Sequence, residues 1–457
     1  MSSFGSLNIA VTGMNAQRRV LDLIGHNVAN ATTEGYHRQR AELRSLGGRV
    51  TPGISSGDGA RTYGVDVVAV TRAVDDLLAA RATREDASRS AAQLMSSTMG
   101  RVEGIFPEPS DLGLAQQLDD YWGAWTDVSN NPGDLAARTQ LLEHAQSLID
   151  SIHRSAADLE GVRTTSIQDM SRLAVEVNGL AKEIAKLNQT IASGTDNPDL
   201  LDRRDLLVGQ IANLTGATAR PGVNGMVDVT VNGRPIVSAT TAFDLDGTTG
   251  TLVFQSDGLP VGPTSGEAAT LSATITDVVP RYRTLLDDVA ATLVTTVNAA
   301  HSVGYDQTST TGRMFFDPAG VTAATISLSA DVAGQPSHVA AGAPVLPGPT
   351  APGPLDGEQA RLIASLADSA SGADSKYHSM ITALAVETRG ATQRADIQDQ
   401  VAESAIRDAD SVGAVNIDEE MADLVAAQRA FEASARVFTV IDEMLETLIN
   451  RVGVVGR

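Results

Sequence analysis

The chain has 457 residues, room for two or three domains and a sizeable core, with 42% hydrophobic, 20% charged and 4% aromatic residues. A formal net charge of −22 argues against nucleic acid, whose phosphates need clustered Lys and Arg, and against anionic lipid. The absence of cysteine excludes disulfides, Cys-ligated metal and thiol catalysis; residues 1–6 do not read as a Sec-type signal peptide, and no stretch nears the ~20 apolar residues that membrane insertion needs.

The first element starts near Ser6, where Leu7, Met14, Leu21 and Val28 recur every seven residues. Ala10, Gln17, Ile24 and Ala31 fill the matching positions of a heptad seam, which ends in the turn-rich residues 30–36. Residues 37–72 alternate loosely, punctuated by Gly47, Gly48, Pro52, Gly53 and Gly57, and 65–70 read as a strand. A helical stretch runs to about Val102 and stops at Pro107 and Pro109. Residues 111–128 form another helix, with Trp122 and Trp125 on one face.

The turn at 130–134 opens the longest helix. Its seam passes through Ala145, Leu148, Ile152, Leu159 and Val162. It resumes, after a four-residue stutter, as Met170, Leu173, Val177, Leu180, Ile184, Leu187 and Ile191. Asn197 as cap and Pro198 in the first position begin a helix that ends near Leu214. From 215 to 273 the period becomes two: 226–231 is a strand, Asn232-Gly233 a hairpin turn, 234–237 the return strand, and 251–254 another. Helix returns over 280–301, then a loop-rich part and a 344–354 linker, then helix again over 357–412.

The last element, 417–452, carries the cleanest seam. Ile417, Leu424, Phe431, Phe438, Leu445 and Val452 hold one heptad position, and Met421, Gln428, Ala435, Asp442 and Ile449 the other. Gln428 and Asp442 on a seam would restrict register at a cost in stability. The pattern predicts a mainly α fold with a β-rich insert, nested from the ends inward. A terminal coiled-coil assembly domain takes 1–45 plus 413–457, a mainly helical core 46–215 plus 271–412, and a small β-rich insert 216–270.

No catalytic, cofactor or metal site is expected. The seven His show no HExxH spacing and no GxSxG frames a nucleophile. Asp418, Glu419 and Glu420 resemble an acidic metal cluster, but Asn416 with Glu419 three residues on is capping-box chemistry, and acids belong in a first helical turn. The run Asp202-Arg203-Arg204-Asp205 reads as a solvated helix face, with Arg204 neutralising a carboxylate on a neighbouring element as the alternative. Trp122 and Trp125 read as core packing rather than a carbohydrate platform.

Residues 10–16, Leu21-Asp22 and residues 27–39, with Asn27, Asn30, Gly35 and Tyr36 as signature positions, closely resemble the N-terminal signature of the bacterial flagellar axial proteins. That family comprises rod, hook and hook-associated proteins. Residues 415–420 and 428–437, with Gln428 and Ala435, resemble its C-terminal signature. In the middle, Trp122-Gly123-Ala124-Trp125, residues 130–134, 184–188 and 200–205 look like the hook-associated member at the first junction between hook and filament, without the outer domain of the family's larger members. The resemblance implies a structural, non-enzymatic subunit that leaves the cell by the flagellar type III apparatus without a cleaved signal and lies extracellularly in the flagellum. It implies hook subunits below, the next hook-associated protein above, copies of itself in a ring or helical layer, and a cytoplasmic export chaperone at the C-terminal region. Rival readings are a rod or distal hook subunit, a secreted adhesin or carbohydrate-binding protein using the insert, and a wall hydrolase. The two terminal helices are expected to be loose in the monomer and to order on assembly, because an isolated seam hides little area.

Overall fold

The computed structural model describes residues 3–47, 62–111, 113–194, 197–344, 351, 353 and 355–451. Gly48, Pro52, Gly53, Gly57, most of the 344–354 linker and the seam position Val452 lie outside them. The chain begins with helix α1 (Ser3–Asn30) and an antiparallel ribbon of β1 (Gln39–Gly47) and β2 (Thr62–Arg72). It continues as helices α2 (Asp76–Ile105), α3 (Leu114–Asn130), α4 (Leu135–Ala192) and α5 (Pro198–Thr215). Side-chain caps set three of these starts. Asp75 accepts from Leu77 and Leu78 N–H, Asp134 from Ala136 N–H, and Asn197 from Asp199 N–H, with Pro198 in the first turn.

Helix α4 organises the interior. Its 58 residues run about 87 Å and serve two cores in succession. The first half buries Leu141, Leu148, Ile152 and Leu159 with Trp125, Leu293 and Tyr377; the second buries Met170, Leu173, Val177 and Ile184 with Leu207 and Ile211. Between them lies the stutter, where buried Ser166 turns its hydroxyl back to Val162 O. A matching irregularity sits beside it. Helix α6 (Gly266–Ala273) passes through a π-helical turn, Thr274–Val278, into α7 (Val279–His301), and that turn packs against α4.

The β insert is a four-stranded antiparallel sheet, β3 (Thr218–Pro221), β4 (Val227–Val231), β5 (Arg234–Ser238) and β6 (Thr241–Ala242), followed by the short pair β7 (Leu245–Asp246) and β8 (Val253–Phe254). Its inward side chains Val229, Val231, Ile236, Leu252 and Phe254 join the second core on α4 and α5. Residues 302–344 have little regular structure, yet Phe315 and Phe316 are fully buried. Asn298 holds them, accepting from both their N–H groups and donating to Phe316 O.

The helix expected over 357–412 is two, α8 (Glu358–Ala364) and α9 (Ala373–Gly413). Ser369 and Gly372 adopt extended backbone between them, so the helix is broken there. Helix α9 returns along α2, with Ala87, Ala391, Ala395, Ala402 and Ala405 buried and Arg81 reaching Asp408 at 3.3 Å. The small side chains let the two helices approach closely. The last helix, α10 (Ile417–Arg451), lies antiparallel to α1, since Asn27 meets Glu420 and Gly13 faces Ser434.

Candidate assembly site at the paired termini

The paired termini use a seam other than the heptad of large side chains. On α1 the buried positions are Ala10, Ala16, Ile24 and Asn27, whereas Leu7, Met14, Leu21 and Val28 are only half-buried. On α10, Leu424, Phe431, Phe438 and Leu445 are half-buried and Ile417 is 51% exposed. The companion seam position lies three residues on rather than four: Glu420 and Ala427 are buried, while Met421, Gln428 and Asp442 are exposed. Gln428 and Asp442 therefore face solvent instead of polarising the seam; Ala435 sits half-buried beside it. The physical reason is size. A Cβ on Gly13 would stand 3.3 Å from Ser434 Oγ, so the helices pack at their small residues and the larger ones fall to the edges.

Where α1 ends, a buried polar knot ties it to α10. Asn27 donates to Gln39 O and to Glu420 Oε2, both at 3.0 Å. Its Oδ1 accepts from Gln39 N–H at 3.0 Å and from Tyr36 OH at 2.7 Å. One side-chain amide thus uses both ends to join α1, β1 and α10. Tyr36 can deliver that proton because Gly35 turns the chain at φ +74°, a backbone region that glycine enters without strain. Burial, then the carboxylates of Asp199, Asp202 and Glu420, push the Tyr36 phenol up, so it stays protonated. Asn30 donates to His26 O and closes the helix end.

Arg38 is the second tie. Its guanidinium donates to Glu419 at 2.8 Å and Asp423 at 3.0 Å, and its Nε abuts Glu420 without hydrogen-bond angles. Burial opposes its charge, but Glu420 and Glu419 outweigh that and hold it protonated. Its backbone donates to Gly413 O and accepts from Ala73 N–H, both at 2.8 Å, so the end of α9 joins the same knot. Only glycine fits at 413, since a Cβ there would lie 2.8 Å from His37 Cδ2. Asn416 caps α10 as expected, but Glu419 turns to Arg38 instead of closing a capping box. Among the described residues no cluster of His, Asp and Glu could hold a metal ion.

Residues 202–205 carry a third tie and correct the reading of a solvated face. Asp202 and Arg204 are buried at 5% and 6% exposure; Arg203 alone faces out, toward Glu183. Asp202 accepts from His37 N–H at 3.1 Å, lies 2.7 Å from His37 Nδ1, and takes Arg72 at 2.8 Å. Burial resists its charge, yet the hydrogen bonds from His37 and Arg72 hold its carboxyl below the usual carboxylate range. Arg72 also reaches Asp205 at 2.8 Å. Arg204 donates to Gly225 O at 2.7 Å, so it serves a carbonyl and not a carboxylate across the interface. Sequence pattern missed Arg38, Arg72 and Gly413; Arg38 lies inside the conspicuous 27–39 stretch, and the other two gave no signal. The tryptophans are core: Trp125 is sealed and Trp122 donates to Asp374 at 2.9 Å.

Three family models match separate stretches of the chain. Residues 99–316 match the family model of the flagellar hook-associated protein FlgK helical domain. Residues 7–37 match that of the flagella basal body rod protein, and 414–451 that of the flagellar basal body rod FlgEFG protein C-terminal. Flagellar hook-associated protein 1 of Bacillus subtilis is 24% identical over 524 aligned positions, covering 100% of both chains. The protein of that name from Salmonella typhimurium is 23% identical over 68% of this chain, and the match spans only 59% of its own length. The structure of the flagellar hook junction protein FlgK from Burkholderia pseudomallei superposes with a TM-score of 0.63 at 14% identity, covering 74% of this chain and 100% of that one.

Proposed function

The chain belongs to the family of flagellar hook-associated protein 1, structural components of the junction between hook and filament, and from that premise we propose that α1 and α10 are the elements through which it polymerises there. The observation that carries this is the half-open seam. Leu7, Met14, Leu21 and Val28, and Leu424, Phe431, Phe438 and Leu445, are all left partly exposed by the intramolecular pair. Burying a large apolar side chain completely is worth about 1.5–3 kcal/mol, so neighbours that cover these positions gain free energy the monomer cannot.

Hook subunits would contact one end of the layer and the next hook-associated protein the other, with copies of the chain between them. The rod-type matches at both ends support association with hook and rod proteins, and the helical-domain match tells against a rod or distal hook subunit. Export through the flagellar type III apparatus, on an uncleaved N-terminal region, and a cytoplasmic chaperone on α10 complete the reading. The test is a Phe431→Asp, Phe438→Asp double variant. It should be absent from isolated flagella while its helical circular dichroism and melting stay those of the native chain; ordinary filaments carrying it would overturn the role of α10.

A further inference from the structure

The paired termini leave a groove of about 440 Å³ along α10, with small and apolar side chains along part of it and polar ones along the rest. Ala426, Ala427 and Ala430 line it from α10, Leu23 from α1 and Leu43 from β1. Leu43 is 46% exposed there. On the rim stands Asp423, whose side chain is 61% exposed, with Glu419 close by at 60%. Both share the guanidinium of Arg38 with Glu420, and Arg40 also lines the groove, so three acids stand against two arginines and this end of α10 keeps a net negative charge.

The opposite character occurs on the outer side of α1. Leu7, Val11, Met14 and Arg18 recur at i, i+4, i+7 and i+11, which places them on one helix face. The first three are half-buried and Arg18 is exposed. Among the described residues Arg18 makes no ion pair, and none joins α1 to α10, although α10 carries eight acids against three arginines. The complementary charges of the two helices are thus not spent on each other within one chain, and Glu419 and Asp423 meet Arg38, which they share with Glu420.

We propose that this groove receives the outer face of α1 from a second copy, laid antiparallel to α10, with Val11 and Met14 against the alanines and Arg18 against Asp423 and Glu419. This rests on the reading that the chain polymerises through its termini, and it names the surfaces. The spacing is that of an amphipathic helix entering a groove. Because the surface given and the surface received differ, the contact is heterologous; it repeats from copy to copy and closes into a ring or climbs as a helix.

The chain has no cysteine, so a pair can be introduced on a silent background. In the proposed register Val11 lies against Ala430 of the next copy. Within one chain Val11 sits about six residues, roughly 9 Å, from that level of α10, as set by the Gly13 and Ser434 contact, too far for a disulfide. A Val11→Cys, Ala430→Cys variant in intact flagella should therefore give a disulfide-linked ladder of the chain on oxidation, and neither single variant should. Arg18→Glu should lower incorporation at least tenfold while the monomer melts as the native chain does, and ordinary incorporation of that variant would overturn the register. If the native chain is present in isolated flagella but the cysteine pair stays monomeric, the docking surface is wrong and the junction role stands. If the native chain is absent from flagella, that role fails first.

Discussion

Arg38 and Glu420 are each nearly sealed from water, and their value lies in their pairing. Removing two charges from water is costly, and the pair alone contributes little net stability; removing one partner costs about 3–5 kcal/mol because the other is left buried and unmatched. Arg38→Met should therefore detach the base of α10, seen as faster hydrogen exchange over residues 418–427. Adding Glu420→Leu should recover most of the protection, and equal exchange in both variants would show that the ion pair is incidental. A second buried residue sets a pH dependence. His301 donates from Nδ1 to Arg313 O and accepts from Ala340 N–H at Nε2, so the folded chain holds it neutral. Burial lowers its pKa from 6.5 to about 4. At pH above 6.5 the histidine is neutral in both states and stability is full. As pH falls toward 4 only the unfolded chain gains the proton, and about 3 kcal/mol is lost. Urea unfolding at pH 7 and 4.5 should show that loss in the native chain and a shallower one in His301→Asn, which keeps the donor to Arg313.

Most helices could be read from heptads and caps, because those signals depend on neighbours within a turn or two. The start of α5 at Asn197-Pro198 and the stutter in α4 are examples. Three features were not legible for the same physical reason, that they depend on what packs from elsewhere. The seam of α10 is displaced by one residue because Gly13 lets α1 approach at Ser434. Asp202 is buried because His37 and Arg72 arrive from the N-terminal segment. Residues 302–344 have no periodicity, yet Phe315 and Phe316 complete the first core. The half-open seam has its own consequence. Ordering a residue costs ~1–2 kcal/mol of backbone entropy, which the sparse burial beyond Ala427 offsets poorly. In the monomer, exchange along α10 should be slow near Glu420 and Ala427 and fast over 436–447, with protection spreading to the far half only in flagella. Uniform slow exchange in dilute monomer would end the view that this half orders on assembly.

Taken whole, the molecule is two cores threaded by one helix. The insert strands share their interior with α4 and α5, so deleting residues 216–270 should strip cover from Met170, Leu173, Val177 and Ile184. Calorimetry of that deletion should show a lower, separate transition for the second half, with the Trp125 core melting near its native temperature. A single transition at the native temperature would mean the insert is dispensable to the helix it covers. The polar knot has a mechanical consequence. Both chain ends leave the body at one place, side by side and antiparallel, where Asn27, Arg38 and Asp202 bind β1, α5, α9 and α10 together. Tension along the α10 axis meets the Arg38 contacts and the α1 interface in shear, so they must yield together rather than peel open one by one. A pull across the axis loads the same contacts singly, and the joint gives way at far lower force: stiff along the rod, compliant to bending.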